Sequence, residues 1–238
     1  MKNALFISML GEREHFNAED YVSICNSGKE KDWVVDQHRN LAEDAGFKLS
    51  GVDICNGDKL PDDNNVDSVI LGGTLHVVTE ERKWLNNLRN WLKIYRRSKK
   101  PLLAICGGHQ MLSSQFGNGE LTARNEGTLS GTYKVQLTEK GKKHPLFFGI
   151  SESPSFHFAN SLHILPSIDQ KNCVLATHDN SPALAIDHGN NWFSTQFHPE
   201  SIRELWDIYY SKRTNKYKSK YSDNHEGRKF ISNFFSIT

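Results

Sequence analysis

P-L-L-A-I-C-G-G-H-Q, residues 101–110, sets the four apolar residues Leu102 to Ile105 directly against a cysteine and a pair of glycines. A short apolar run bounded by turn residues reads as a strand buried on both faces, the kind found in parallel sheets. The following G-G-H-Q-M-L-S-S-Q-F-G reads as a helix ending near Gly117. Strand, cysteine and helix start make the layout of a nucleophile elbow, in which the side chain stands on a strained turn at the carboxyl end of a central strand. The small residues Ala104 and Gly108, two positions to either side, relieve the crowding of such a turn. The unpaired N–H groups of the helix start favour a thiolate over a thiol. A buried structural thiol fits Cys106 as well on this stretch alone.

Outward from this point, apolar runs alternate with helical patterns, the signature of a mostly parallel sheet carrying helices on both faces. The runs are Ala4 to Leu10, Leu49 to Cys55, Val66 to Leu71 and Leu102 to Ile105. Trp33, Val34, Gln37, Leu41 and Ala45 follow helical spacing, with Gly46 placed as the stop. A second helix carries the stripe Leu85, Leu88, Leu92 and Tyr95; Thr79 is its expected cap, with Glu80 and Glu81 at its positive end. R-R-S-K-K, residues 96–100, suits the negative end of that helix better than a nucleic-acid patch. Past residue 120, short alternating segments such as T-Y-K-V-Q-L-T, C-V-L-A-T-H, A-L-A-I-D and W-F-S-T-Q-F read as strands before a helical end. The fold class expected is α/β: a three-layer α/β/α sandwich with a mostly parallel central sheet and an antiparallel extension. With 238 residues and no repeat or linker, one domain over 1–238 is expected.

Composition sets limits on function. Twenty-nine Lys and Arg against 28 Asp and Glu leave a net charge of +1, so no global field draws the chain to nucleic acid or a membrane surface. Cys25, Cys55, Cys106 and Cys173 form no C-x-x-C pair, which argues against a cysteine zinc site and a disulfide framework and for a cytoplasmic protein. The opening M-K-N-A-L-F-I-S-M-L lacks a cleavage site and reads as the first strand, and no apolar run approaches the ~20 residues of a membrane helix.

A cysteine nucleophile needs a base, and the base needs an orienting partner. F-S-T-Q-F-H-P-E-S-I, residues 193–202, supplies both: His198 follows a strand-like run, and Glu200 stands two residues on, across a proline that restricts the backbone. By itself H-P-E also fits a surface pair. Together with the elbow it forms a Cys106, His198, Glu200 set.

A-I-C-G-G-H-Q followed by Q-F-H-P-E-S resembles the class I glutamine amidotransferases, whose Cys–His–Glu triad hydrolyses the side-chain amide of glutamine. V-I-L-G-G-T resembles the family's oxyanion strand, and H-F-A-N-S-L-H-I-L-P its substrate wall; the likeness spans roughly residues 66 to 202. N-E-G-T-L-S-G-T-Y-K-V-Q-L-T is most similar to free-standing GMP-synthase-like domains, and the γ-glutamyl peptidases are a second similar branch. The resemblance implies a flavodoxin-like fold, catalytic roles for Cys106, His198 and Glu200, and an oxyanion hole from the amides of Gly73 and Gly107. It places Gly72, Gln110, His157, Phe158 and Asn160 around a bound glutamine or other γ-glutamyl small molecule. It calls for no metal or organic cofactor.

Three features depart from the family pattern. Ala104 stands where glycine is usual, T-L-H-V-V replaces a proline-containing loop after Gly73 and makes His76 a candidate specificity residue, and Y-Y-S-K-R-T-N-K-Y-K-S-K-Y, residues 209–221, interleaves aromatic and basic side chains. For that last segment a solvated excursion is expected over a nucleic-acid contact. With no P-loop and no second catalytic domain, the first reading is a glutaminase that supplies ammonia to a synthase partner in trans. The alternatives are a self-contained γ-glutamyl hydrolase or transferase, and a non-catalytic module of the same fold.

Overall fold

The computed structural model describes residues 1–214 and 218–238. Its strands are β1 (Lys2–Ser8), β2 (Phe47–Asp53), β3 (Ser68–Leu71), β4 (Leu102–Ile105), β5 (Glu120–Ala123), β6 (Leu129–Lys134), β7 (Gln136–Leu137), β8 (Ser155–Asn160), β9 (Leu162–Leu165), β10 (Val174–His178), β11 (Ser181–Asp187) and β12 (Trp192–Thr195). The helices are α1 (Glu30–Asp44), α2 (Lys83–Tyr95), α3 (Gly107–Gln115), the short α4 (Glu139–Lys142) and α5 (Ile168–Lys171), then α6 (Arg203–Ser211) and α7 (Gly227–Ser236).

Eight strands form one sheet in the order β2-β1-β3-β4-β12-β11-β10-β7. The first five are parallel, and β11, β10 and β7 extend the sheet antiparallel. Strand alternation sorts the core into two layers. Ala4, Phe6, Leu103 and Ile105 face a cluster that includes Trp33 and Val34 of α1 and Phe230 and Phe234 of α7. Leu5, Ile7, Leu102 and Ala104 face the stripe Leu85, Leu88, Leu92 and Tyr95 of α2 and Met111 and Leu112 of α3. This is the three-layer α/β/α architecture expected from the alternating runs, with a flavodoxin-like strand order through its parallel half. The β5–β9 and β6–β8 ribbons stand outside the main sheet.

The apolar run at Leu102 to Ile105 is strand over its whole length, and Gly46 ends α1 with φ +83°, a left-handed stop that glycine adopts without penalty. The start of α2 differs from expectation. Its N-cap is Arg82 with no side-chain cap, and Thr79 lies in the preceding loop. Glu80 is taken up locally, accepting from the Val77 amide and from Arg82, so it does not sit in the first turn of the helix.

The basic run after α2 works by packing more than by its charge on the helix end. The Arg96 guanidinium lies 4.8 Å from the Trp192 ring and donates to the His188 carbonyl, while Lys100 Nζ donates to the carbonyls of Asp63, Asn64 and Val66. Trp192, fully buried at the start of β12, also meets Tyr95 and Phe116. Trp192→Ala therefore should lose about 3–5 kcal/mol of stability, read by urea unfolding; a loss below about 1 kcal/mol would contradict this packing.

Candidate active site

Cys106 leaves β4 with φ 50° and ψ −105°, a backbone region that costs a non-glycine residue of order 1–3 kcal/mol. Its amide donates to the Thr195 carbonyl of β12 at 2.7 Å, and its carbonyl accepts from the Gln110 amide of α3 at 2.9 Å, so strand and helix hold the turn from both sides. The glycines that follow permit close approach of the loop after β3. A Cβ on Gly107 would lie 2.5 Å from Thr74 Cγ2, and one on Gly108 would lie 3.1 Å from the Gly72 carbonyl oxygen. Ala104 causes no crowding at the elbow, because its methyl turns into the core beneath α2 and α3.

His198 arrives three residues past β12, and its amide bonds the His157 carbonyl of β8 at 2.8 Å. Nδ1 of His198 pairs with Glu200 Oε1 at 2.8 Å. The pair is buried, Glu200 at 1 % exposure. The Glu200 carbonyl meets His38 Nε2 at 3.1 Å, and Ser201, whose hydroxyl bonds the His198 carbonyl, accepts from the Trp206 indole. Trp206 sets its ring edge-on to His198 at 4.9 Å. Burial alone would push the His198 pKa down; the Glu200 carboxylate and the Cys106 sulfur outweigh it and hold the imidazole well above its ordinary value. His198 Nε2 has no hydrogen bond of standard geometry, so sulfur and ring are electrostatic neighbours in a site not yet closed on a substrate.

Gly73 lies between them. A Cβ there would stand 3.1 Å from His198 Cε1 and 3.8 Å from Cys106 Sγ, so glycine keeps open the space that thiol and imidazole share. Among the described residues the Gly73 amide has no protein acceptor, and Gly107 opens α3, whose first amides lack helical acceptors.

The open pocket beside Cys106, about 350 Å³, is bounded by Thr74 and Leu75 on one side, Ala159 and Ser161 on another, and Trp206, Tyr209, Tyr210 and Arg213 across the mouth. The wall expected from residues 157, 158 and 160 is thus displaced. His157 shares the face of Ala159 but lies under Tyr221 and His225, its Nδ1 paired with Thr132. Phe158 falls on the opposite face, in the core, and Asn160 donates to the Leu162 carbonyl. Gln110 is within the protein, its amide donating to the Leu162 carbonyl and to Gln196. Gly72 packs against Phe6 and bonds the Ile7 carbonyl. His76 is buried behind the pocket wall and not on it.

The Tyr-rich segment is no solvated excursion over its aromatic half. Tyr221 is buried, stacks on Trp206 at 5.1 Å and donates to the Phe158 carbonyl. Tyr209 carries the Arg213 guanidinium 3.5 Å from its ring centroid. Residues 215–217 of that segment lie outside the described residues.

The family model described as glutamine amidotransferase class-I matches residues 38–214, a span that holds Cys106, His198 and Glu200. The chain belongs to the class-I glutamine amidotransferase family. It is 33% identical over 122 residues to anthranilate synthase component 2 of Helicobacter pylori, covering 50% of this chain and 60% of that protein. It is 30% identical over 135 residues to the glutamine-hydrolyzing subunit of GMP synthase from Sulfurisphaera tokodaii, covering 56% of this chain and 67% of that one. The chain thus spans about three-fifths of the length of the first of these relatives. Among solved structures, a glutamine amidotransferase from Thermotoga maritima superposes with a TM-score of 0.73 at 17% identity, over 99% of this chain and 97% of the other, which speaks for the fold. Among the described residues no helix is long and apolar enough to cross a membrane.

Sequence reasoning missed one titratable neighbour of the site. Glu30, in the first turn of α1, looks like an ordinary helix-start acid, yet it is buried, accepts from the Ser8 hydroxyl at 2.6 Å and would lie 3.4 Å from a Cβ on Gly72. Burial raises its pKa to about 8, opposed by the Ser8 hydrogen bond and reinforced by the Glu200 charge. A carboxyl whose folded pKa is raised favours the native state only while protonated, so stability falls as pH rises from about 4.5 to about 8. Glu30→Gln should flatten that fall, gaining on the order of a few kcal/mol over wild type at pH 9 and little at pH 4. Parallel pH–stability curves for the two proteins would contradict the assignment.

Proposed function

We propose that this chain hydrolyses the side-chain amide of glutamine through a Cys106 thioester and passes the ammonia to a synthase partner. The observation that carries this reading is the convergence on Gly73 of an elbow cysteine and a buried histidine–glutamate pair. Cys106 sulfur, as thiolate, attacks the δ-carbonyl carbon, and the oxygen takes up the negative charge facing the amides of Gly73 and Gly107; one such donor is typically worth about 3 kcal/mol. His198, protonated at Nε2 and held by Glu200, gives its proton to the departing nitrogen, and ammonia leaves a γ-glutamyl thioester. His198 then takes a proton from water, the hydroxide adds to the thioester carbon, and glutamate departs as the thiolate re-forms. Relatives named as parts of synthases support a partner in trans.

One observation supports a second reading. The pocket mouth carries Trp206, Tyr209, Tyr210 and Arg213, a larger aromatic and cationic frame than an amide leaving group needs. A γ-glutamyl hydrolase acting on γ-glutamyl amines or peptides would use that frame for its leaving group. Thr128 and Ser161 line the same pocket and offer hydroxyls to either substrate.

Intact mass after exposure to a diazo-ketone glutamine analogue should show one adduct on wild type and none on Cys106→Ser. Absence of any adduct, with and without candidate synthases, would remove the glutaminase reading. Glu200→Gln should lower kcat by about 10²- to 10⁴-fold, as loss of an imidazole-orienting carboxylate does, and move the His198 titration down toward the ordinary imidazole range. An unchanged rate would take Glu200 out of the mechanism. A panel of γ-glutamyl amides and peptides, run against glutamine, separates the two readings by kcat/KM.

A further inference from the structure

Behind the pocket wall, on the loops that follow β1 and β3, Glu12, His15 and His76 each place a ligand atom within 4.8 Å of the other two. Among the described residues no other trio of His, Cys, Asp or Glu meets that condition. The His76 side chain is 2% exposed, and its Nε2 is buried without a hydrogen-bond partner, which a structural role leaves unexplained. Glu12 is already oriented: Oε2 accepts from Arg82 at 2.6 Å and Oε1 from the Trp84 indole at 2.9 Å. A carboxylate offers about four lone-pair sites, so both oxygens keep capacity for a metal. His15 reaches the same place because residues 12–16 form a tight turn, the amides of His15 and Phe16 both donating to the Glu12 carbonyl.

Charge and ligand type agree. Glu12, Glu80 and Arg82 sum to one negative charge, with Arg82 bonded to both carboxylates, so a divalent cation does not meet net repulsion. Two imidazoles and one carboxylate suit zinc or cobalt over magnesium or calcium and leave a fourth position for water. Metal bonds of about 2.0–2.1 Å would draw the donor atoms together by up to about 1.5 Å. The exposed His15 is free to make that movement.

We propose that Glu12, His15 and His76 form a site for a divalent transition metal that ties the loop after β1 to the loop after β3. These loops already touch, through the Leu75 amide and the Leu10 carbonyl at 2.7 Å, and Leu10, Thr74 and Leu75 all face the pocket beside Cys106. The ion therefore stiffens the wall next to Gly73 without entering the pocket.

The test uses the full chain carrying Cys106→Ser, so that this thiol cannot compete. Zinc titrated against a chromophoric chelator should bind at one equivalent, and cobalt should give d–d bands without a sulfur-to-cobalt charge-transfer band. His15→Ala, an exposed position, should weaken binding at least tenfold, and zinc should slow hydrogen exchange at residues 10–16 and 74–78. Binding unchanged by His15→Ala, a thiolate charge-transfer band from Cys25, Cys55 or Cys173, or no binding at about 10 µM zinc would overturn the site. None of these readings depends on glutamine hydrolysis.

Discussion

The turn at Cys106 is the constraint from which the rest of the site follows. A non-glycine residue with φ 50° and ψ −105° persists only where its neighbours over-determine it, and here the determinants are the last rungs of a parallel sheet and the first turn of a helix. β12 lies beside β4 and takes the Cys106 amide through Thr195. The same strand, three residues later, delivers His198. One strand pairing therefore both strains the nucleophile's backbone and sets the distance between nucleophile and base, although the two are 92 positions apart in sequence.

Around that pairing the protein builds a dry, polar-lined enclosure. Glu200 is buried with its Oε1 on His198, and the indole of Trp206 both roofs the imidazole and fastens Ser201 to the chain behind it. Low dielectric strengthens the carboxylate–imidazole attraction while desolvation opposes the charge, and the raised pKa of His198 says which wins. Glu30 gives the contrasting case: buried beside the same charges without a cation of its own, it holds its proton up to about pH 8.

The parts of this arrangement that are local in sequence were legible there. Leu102 to Ile105, Cys106 and the glycines announce strand, elbow and helix within ten residues, and H-P-E carries its pair across two positions. What depends on contacts between distant segments was not. The expected cap at Thr79 failed because Glu80 is drawn to Val77 and Arg82, a loop arrangement with no periodic signature. Residues 157, 158 and 160 were read as a wall, but strand alternation sends Phe158 to the core, and Tyr221 from far along the chain covers His157. Tyr209 and Tyr221 looked like a solvated, basic surface because their charges are local and their packing partner, Trp206, stacks with them only in three dimensions.

The most direct measurement is rapid acid quench of wild-type protein turning over glutamine, followed by intact mass and peptide mapping. The account predicts a mass gain equal to one γ-glutamyl group on the peptide holding Cys106, absent in Cys106→Ser. Glutamate release by wild type with no covalent species at any quench time, and undiminished release by Cys106→Ser, would contradict a thioester at this elbow and with it the central claim.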